Sequence, residues 1–301
     1  MVGSALCRRL RKGGYYVLVG PSPRTNLCDQ VATRALFEDI KPDWVFLAAA
    51  KVGGIDANRK YPADFIYINL MIEANVLDAA YRVGVQKLLL LGSSCIYPRE
   101  APQPMKEEYL LSGYLEPTNE AYAIAKIAGI KMAQAYNKQY GTNFICAMPT
   151  NLYGPGDNFD LETSHVVAAM LRKTHEARTH KQEFLEVWGT GKPLREFLHV
   201  DDLADACVFL MENYNSNEII NVGAGKEITI EELALLIKEV VGYHGAIVFN
   251  PAMPDGMPRK LLDVSNLTTL GWKPSILLRQ GLEMTYRWYQ VRGAAYVNST
   301  A

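Results

Sequence analysis

The sequence lacks the features of a membrane protein, of a secreted disulfide scaffold and of a nucleic-acid-binding protein. Its 301 residues contain no apolar run of about eighteen residues, and the N-terminus lacks the charged-then-apolar order of a signal peptide. The five cysteines are scattered and include no CxxC pair, which argues against disulfides and a zinc knot. With 31 basic and 32 acidic residues and no basic stripe, nothing points to nucleic acid or to anionic membranes. We therefore expect a soluble cytoplasmic protein with reduced thiols, no bound metal, and no nucleic-acid or membrane partner.

The sequence also lacks internal repeats, low-complexity stretches and a linker of disordered composition. Apolar residues make up 49% of the chain and charged residues 21%, so a sizeable core is expected. The length fits one large domain or two closely joined ones.

Short apolar runs alternate with longer segments whose apolar residues recur every three or four positions. The short runs predict strands over residues 15–19, 43–48, 87–92 and 144–148. The periodic segments predict helices over residues 29–39, 64–82 and 119–140. This alternation is typical of a doubly wound α/β fold with a parallel sheet of Rossmann type.

The alternation loosens after residue 155, which indicates a second, smaller α/β lobe. Helices are predicted over 201–213, 229–241 and 278–291, with a strand over 218–222. We divide the chain into a Rossmann-type domain of residues 1–155 and a substrate lobe of residues 156–301, some segments of which return to the first domain. A ligand is expected where the two meet.

Two glycine-containing segments resemble a phosphate-binding loop only superficially. Residues 189–192 read GTGK and residues 223–229 read GAGKEIT. Neither fits the GxxxxGK[ST] spacing, so both are interpreted as turns.

The strongest chemical signal is Tyr122 with Lys126, four residues apart on one predicted helix. A nearby ammonium favours the phenolate, so we expect Lys126 to lower the pKa of Tyr122 and let the phenol exchange a proton near neutral pH. By itself, this spacing is also common on the exposed face of an amphipathic helix. Ser93 follows the predicted strand 87–92, at the sheet edge where ligands bind, and its hydroxyl could donate to a carbonyl oxygen that gains negative charge. The alternative there is a serine-rich turn that caps the strand, but the two signals together are a rarer coincidence than either alone.

Nine segments carry a family resemblance, namely residues 47–55 (LAAAKVGGI), 61–65 (YPADF), 91–98 (LGSSCIYP), 115–120 (LEPTNE), 122–129 (YAIAKIAG), 149–155 (PTNLYGP), 157–159 (DNF), 195–202 (REFLHVDD) and 258–260 (PRK). On these segments the chain is similar to the extended short-chain dehydrogenase/reductases, and within them to epimerase-reductases of GDP-linked 4-keto-6-deoxyhexoses. The resemblance covers essentially the whole chain.

The resemblance implies epimerisation of GDP-4-keto-6-deoxy-D-mannose at C3 and C5, then reduction of the C4 ketone by NADPH to give GDP-L-fucose. Cys95 and His165 match the acid/base positions of the epimerisation. Ser93 and Tyr122 match the groups that hold the C4 oxygen, and Lys126 matches the residue that tunes Tyr122 and bonds the nicotinamide ribose. The resemblance also implies a homodimer paired through helices 64–82 and 119–140.

The resemblance further assigns cofactor and substrate contacts. The cofactor positions are Gly3, Asn26, Leu27, Leu91, Gly92, Ser93, Ser94, Lys126, Pro149, Thr150, Asn151, Leu152 and His165. The GDP-sugar positions are Lys173, Trp188, Arg195 and Asp255, with lysine at 173 where relatives often carry arginine. A point charge there would still favour a diphosphate.

The sequence departs from the family at its start. Relatives begin with a buried central strand and a Gly-x-x-Gly-x-x-Gly turn, whereas this chain retains only Gly3 and the following helix. We expect a gap in the sheet where that strand would lie, and we interpret the sequence as truncated. Arg24 could meet a 2′-phosphate, although its spacing differs from the usual arginine placement.

Three interpretations therefore stay open. The first is the bifunctional epimerase-reductase, and the second is another nucleotide-sugar epimerase or dehydratase, which Cys95 disfavours. The third is a non-catalytic NAD(P)-fold protein that binds a sugar nucleotide. Taken singly, Cys95 is typical of a buried apolar side chain and His165 of a surface or capping residue, while the apolar neighbours of His199 predict a buried structural role.

Overall fold

The computed structural model describes residues 1–20, 25–253 and 255–293. The helices are α1 (Val2–Lys12), α2 (Gln30–Ile40), α3 (Ile55–Lys60), α4 (Pro62–Arg82), α5 (Glu120–Tyr140), α6 (Val166–Thr179), α7 (Val200–Asn213), α8 (Ile230–Val241), α9 (Ser265–Thr269) and α10 (Leu278–Trp288). The strands are β1 (Trp44–Leu47), β2 (Lys87–Leu91), β3 (Phe144–Pro149), β4 (Asn151–Tyr153), β5 (Phe184–Trp188), β6 (Leu194–His199), β7 (Ile219–Val222), β8 (Glu227–Thr229), β9 (Ala246–Asn250) and β10 (Arg259–Lys260).

The core of the first lobe is a parallel sheet in the order β1-β2-β3-β7. Every residue of β2 and β3 is buried. Strands covered by helices on both faces read as continuous apolar runs rather than as an alternating pattern, which is why this part of the sequence predicts the sheet correctly. The expected doubly wound α/β fold is confirmed.

Helices cover both faces of this sheet. One face carries a core built from α2, α4 and α5, with Leu77, Leu88 and Ile130 fully buried. The other face carries α1 and α7, and ion pairs from Arg8 and Arg9 to acidic residues of α7 join these two helices. Because the four strands run parallel, their carboxyl ends lie at one common edge of the sheet.

Two expectations about the start of the chain are wrong. Residues 15–19 form no strand, and Tyr16 is 89% and Val19 64% exposed. The expected gap is also absent, because β1 pairs directly with β2 from Trp44 opposite Lys87 to Leu47 opposite Leu90. The backbone groups along β2 need partners in a dry environment, and β1 supplies them. Residues 15–20 then have no ladder to join, and among the described residues they lie beside the sheet, with the Tyr15 ring 5.8 Å from that of Trp44.

The second lobe holds two small sheets. One contains β10, β6 and β4 in parallel, with β8 antiparallel to β6, and the other pairs β5 with β9. Their apolar faces pack with α6, α8 and α10 into a separate core. The predicted last helix is shorter than expected, because the regular helix ends at Trp288 and continues as a wider turn over Tyr289–Gly293.

Residues 189–192 form a turn, as predicted, whereas the prediction for residues 223–229 is only partly right, because Glu227–Thr229 form β8 and pair with β6. Gly189 and Gly191 both adopt φ near +80°, a conformation that other residues rarely accept. In the described part of the chain, no helix is both long and apolar enough to cross a bilayer.

Candidate active site

Ser93 lies where β2 ends at the common strand edge. It adopts an extended conformation and caps a short 3₁₀ turn, Ser94–Ile96, by accepting a hydrogen bond of 3.2 Å at Oγ from the Cys95 amide. Because the oxygen accepts this bond, the hydroxyl proton is free to be donated. The capping role proposed as an alternative for this segment and a role in oxyanion binding are thus compatible.

Lys126 lies one helical turn after Tyr122 on α5, as the spacing predicts. Its ammonium Nζ is 5.8 Å from the centroid of the Tyr122 ring and donates to the carbonyl oxygen of Leu91 at 2.9 Å. The Lys126 side chain is only 3% exposed. Helix α5 therefore brings both side chains to the end of β2, next to Ser93.

The expected direction of the Tyr122 pKa shift is wrong. Burial raises the pKa of the phenol above its ordinary value, and the Lys126 charge and a hydrogen bond with Ser93 offset this only in part. A phenolate in a dry site loses more hydration than one ammonium restores. At neutral pH the phenol keeps its proton and is therefore an acid, not a base.

Sequence reasoning missed Glu73, which completes this cluster from α4. Its Oε1 accepts a hydrogen bond of 2.8 Å from Lys126 Nζ, and the side chain is 2% exposed. A signal was present, since Glu73 interrupts the apolar stripe of the predicted helix 64–82. Burial by itself would lower the pKa of Lys126, but the nearby phenol oxygen of Tyr122 and carboxylate of Glu73 raise it above its ordinary value.

Cys95 follows Ser93 in the 3₁₀ turn, and its sulfur receives two donors. Asn119 Nδ2 lies 3.2 Å and Lys260 Nζ 3.4 Å from Cys95 Sγ. Donors aimed at a sulfur stabilise negative charge on it. An inert packing cysteine would have apolar neighbours instead, so the surroundings favour a chemical role.

His165 precedes α6 as its N-cap residue and remains accessible to solvent. The pKa of its imidazole is nevertheless lowered, first by the protein that surrounds the ring in the cleft and then by the Lys260 charge. Lys260 thus contacts Cys95, and its charge acts on His165. Lys260 belongs to the motif PRK, but the sequence alone predicts no role for it.

Most of the predicted cofactor positions lie at two places, the end of β2 and residues 149–152 between β3 and β4. Leu91 is tied to Lys126, the Gly92 amide bonds the Ala147 carbonyl, and Ser94 is buried. The Thr150 hydroxyl and the Asn151 amide both donate to the carbonyl oxygen of Glu196. Pro149 ends β3 and Leu152 lies in β4.

The remaining cofactor positions lie around α1 and α2. Asn26 accepts a hydrogen bond from the Cys28 amide in the turn before α2, and the Leu27 carbonyl is held by Asn75 of α4. Gly3 lies in the first turn of α1, where an added Cβ would meet nothing within 4 Å. Arg24 lies outside the described residues.

These surroundings suit a dinucleotide. No side chain of the described residues caps α1, and helix N-termini with free amides bind phosphate groups. Lys126 and Tyr122 supply donors at the end of β2. The donor set fits a phosphate-linked cofactor with a ribose hydroxyl near Lys126.

The four predicted substrate residues come together in the second lobe. Lys173 Nζ lies 5.1 Å from the centroid of the Trp188 ring, and Trp188 is 48% exposed at the end of β5. Asp255 accepts hydrogen bonds from the Thr190 amide at 2.6 Å and from its hydroxyl at 2.8 Å. Burial lowers the pKa of Arg195 below its ordinary value, and the Asp255 charge offsets this only in part. The exposed indole provides an apolar face, and the Lys173 ammonium beside it provides an anion site.

His199 has the structural role expected of it. It is 1% exposed, and its Nδ1 accepts from the Asp201 amide at the start of α7.

Comparisons with known proteins show what the chain as a whole resembles. The model of the NAD dependent epimerase/dehydratase family matches residues 1–223. The chain is 57% identical over 290 residues to GDP-L-fucose synthase 1 of Arabidopsis thaliana, covering 96% of this chain and 90% of that protein.

Two solved structures resemble the whole chain. A GDP-mannoheptose C4 reductase from Campylobacter jejuni with NADP bound has a TM-score of 0.86 at 40% identity, covering 96% of this chain and 95% of that one. A GDP-L-fucose synthetase from Naegleria fowleri bound to NADP has a TM-score of 0.90 at 28% identity, covering 97% and 92%. The chain therefore belongs to the NAD-dependent epimerase/dehydratase family.

Proposed function

We propose that the chain is a GDP-L-fucose synthase, which epimerises GDP-4-keto-6-deoxy-D-mannose at C3 and C5 and reduces its C4 ketone with NADPH. The observation that carries the proposal is the junction of two chemistries at the end of β2. Ser93 and Cys95 are two residues apart there, so a reductive centre and an epimerising thiol share one site.

The reductive centre consists of Ser93, Tyr122 and Lys126. Ser93 and Tyr122 both hold the C4 oxygen, and Tyr122, which keeps its proton at neutral pH, gives that proton to the oxygen as the ketone becomes an alcohol. When bound, NADPH supplies the hydride. The Lys126 ammonium stabilises the tyrosinate that remains and donates to the nicotinamide ribose.

The epimerising pair is Cys95 and His165. A C4 carbonyl acidifies the hydrogens on C3 and C5, so inversion needs one group to remove a proton and another to return one on the opposite face. Because its pKa is lowered, His165 is neutral at pH 7 and can accept a proton. Cys95 can donate one, since Lys260 and Asn119 stabilise the charge left on its sulfur.

The GDP moiety is held by the second lobe. Arg195 and Lys173 supply the charge that a diphosphate requires, and Trp188 offers a ring face to the nucleotide or sugar. Asp255 is fixed by Thr190 and can accept from substrate hydroxyl or amino groups.

Three further predictions accompany this proposal. The dinucleotide domain comprises residues 1–155 and the substrate lobe residues 156–301, and the protein is a homodimer. Exposed side chains on α4 and α5 support pairing through these helices, namely Tyr67, Tyr81, Ile124 and Tyr140. The cytoplasmic location stays a prediction.

The test incubates the purified protein with GDP-4-keto-6-deoxy-D-mannose and NADPH in D₂O. We expect NADPH oxidation together with a product that carries deuterium at C3 and C5 and co-elutes with GDP-L-fucose. NADPH oxidation without deuterium would identify a simple C4 reductase. Deuterium incorporation without a product reduced at C4 would identify an epimerase.

A further inference from the structure

A buried carboxylate that the reaction does not use contacts the reductive centre. Glu73 lies on α4, whereas Tyr122 and Lys126 lie on α5, and its side chain is 2% exposed. One oxygen, Oε1, accepts from Lys126 Nζ at 2.8 Å. The other, Oε2, has no hydrogen-bond partner among the described residues. A carboxylate buried in this way is costly unless its partner charge is held close to it.

The geometry restricts where the Lys126 ammonium can lie. An ammonium has three N–H donors, and two of them are used by Glu73 Oε1 at 2.8 Å and by the Leu91 carbonyl at 2.9 Å. The third N–H is the one left for a ligand at the end of β2. Without Glu73, only the Leu91 carbonyl would hold the ammonium. Because the four-carbon side chain of Lys126 has many rotamers, the ammonium could then take several positions.

The chain keeps a glycine on α5 where this carboxylate lies. A Cβ built on Gly129 would come 2.0 Å from Glu73 Oε2 and 2.7 Å from its Cδ, far closer than such atoms approach. Gly129 is three residues after Lys126, so both lie on the face of α5 that meets α4. Glycine inside a helix is unfavourable in itself. We therefore attribute the glycine at position 129 to the space that the Glu73 carboxylate occupies.

We propose that Glu73 is the positioning residue of the reductive step, holding the Lys126 ammonium at the end of β2 with one N–H directed to the cofactor ribose. This inference rests on the proposed function. Glu73 touches neither the substrate nor the cofactor, and it acts only through Lys126. The epimerising pair, Cys95 and His165, does not depend on it.

The test uses Glu73→Gln, which keeps the shape of the side chain and removes its charge. The matched control is Asp78→Asn, the same change on the same helix, at a carboxylate paired with Arg34 and Arg82 instead of Lys126. Since a charge-assisted hydrogen bond is about twice as strong as a neutral one, we expect Glu73→Gln to weaken NADPH binding about tenfold in a fluorescence titration without substrate. The maximal rate of NADPH oxidation should fall by a similar factor, while deuterium exchange at C3 and C5 keeps the wild-type rate at saturating cofactor. Asp78→Asn should change none of these.

A double variant separates positioning from mere support of the fold. In a Lys126→Met background, Glu73→Gln should cause no further loss of the reduction rate, because its effect passes through the absent ammonium. If Glu73→Gln fails to fold, Gly129→Ala replaces it, since it keeps all charges but displaces the carboxylate and should give the same losses.

The inference is overturned if folded Glu73→Gln binds and oxidises NADPH like the wild type, or if its loss persists in the Lys126→Met background. It is also overturned if exchange and reduction fall together. A wild-type protein that neither exchanges nor reduces the substrate would instead refute the proposed function.

Discussion

Replacing Lys260 by methionine should impair the epimerising chemistry more than the reduction. Lys260 Nζ donates to Cys95 Sγ at 3.4 Å and its charge acts on His165. Methionine keeps most of the apolar stem and removes the charge. Within the described structure, Lys260 makes no hydrogen bond to the reductive residues Ser93 and Tyr122.

The size of the effect follows from the distance. At 3.4 Å, two unit charges attract by about 5 kcal/mol if the effective dielectric constant is about 20. Both side chains are half-buried, so solvent screens part of this attraction, and we expect about 1.4–2.8 kcal/mol to be lost. This corresponds to a fall of about 10- to 100-fold in the rate of any step whose transition state places negative charge on the Cys95 sulfur.

Two rates report this loss. The first is alkylation of Cys95 by iodoacetamide, followed by peptide mass spectrometry with the half-buried Cys28 as internal reference, because only the thiolate reacts. The second is deuterium exchange at C3 and C5 of the substrate. The matched control is Arg259→Met on the same strand, where the lost cation is paired with Glu227 and not with the thiol.

Alkylation of Cys95 and deuterium exchange at wild-type rates in Lys260→Met would refute the role of the Lys260 charge. It is also refuted if Arg259→Met causes an equal loss, because the effect would then come from disruption of β10 rather than from the charge beside the sulfur.

Three other predictions follow from the described geometry. Tyr122→Phe removes the proton donor and should slow NADPH oxidation by about 10²- to 10⁴-fold while deuterium still enters C3 and C5, which stopped-flow absorbance and mass spectrometry measure. The surrounding protein and the Lys260 charge hold the pKa of His165 below its ordinary 6.5, so the imidazole is protonated only below that pH and exchange should fall on the acid side. Lys260→Met should raise this pKa and move the acid limb of the pH profile upward. An unmoved limb would contradict the assignment of His165. In urea unfolding, Leu90→Ala, at a fully buried position of β2, should cost about 2–5 kcal/mol. Val19→Ala, at a position 64% exposed, should lower the free energy of unfolding by less than about 0.5 kcal/mol. A larger loss would indicate that residues 15–19 form a packed strand, as the sequence predicts.

The sequence predicts the sheet well where a strand is buried on both faces. Residues 87–91 and 144–149 carry continuous apolar runs, and helices 62–82 and 120–140 show a clear period, so their type and bounds are nearly those predicted. Residues 15–19 look equally apolar but form no strand. Strand formation depends on a neighbour as well as on composition, and β1 already occupies the edge of β2.

The site was predictable to the extent that it lies in contiguous motifs. Ser93, Cys95, Tyr122 and Lys126 stand in two short segments whose places at the strand edge follow from the fold. Glu73 and Lys260 reach the same centre from α4 and from β10. Glu73 stands out locally because it interrupts an apolar stripe, but no local pattern indicates which residues either side chain contacts. The pKa of Tyr122 was predicted in the wrong direction because spacing reveals the nearby lysine but not the burial that outweighs it.

The central claim is that one site carries out both chemistries, and a single-turnover reaction in D₂O tests it most directly. The protein is mixed with GDP-4-keto-6-deoxy-D-mannose and one equivalent of NADPH, and the product is analysed by mass spectrometry and NMR. We predict GDP-L-fucose with deuterium at C3 and C5 from the wild type, and from Cys95→Ser a reduced sugar that has not been inverted at both centres. Full inversion by Cys95→Ser at the wild-type rate, or a wild-type product without deuterium, would contradict the account.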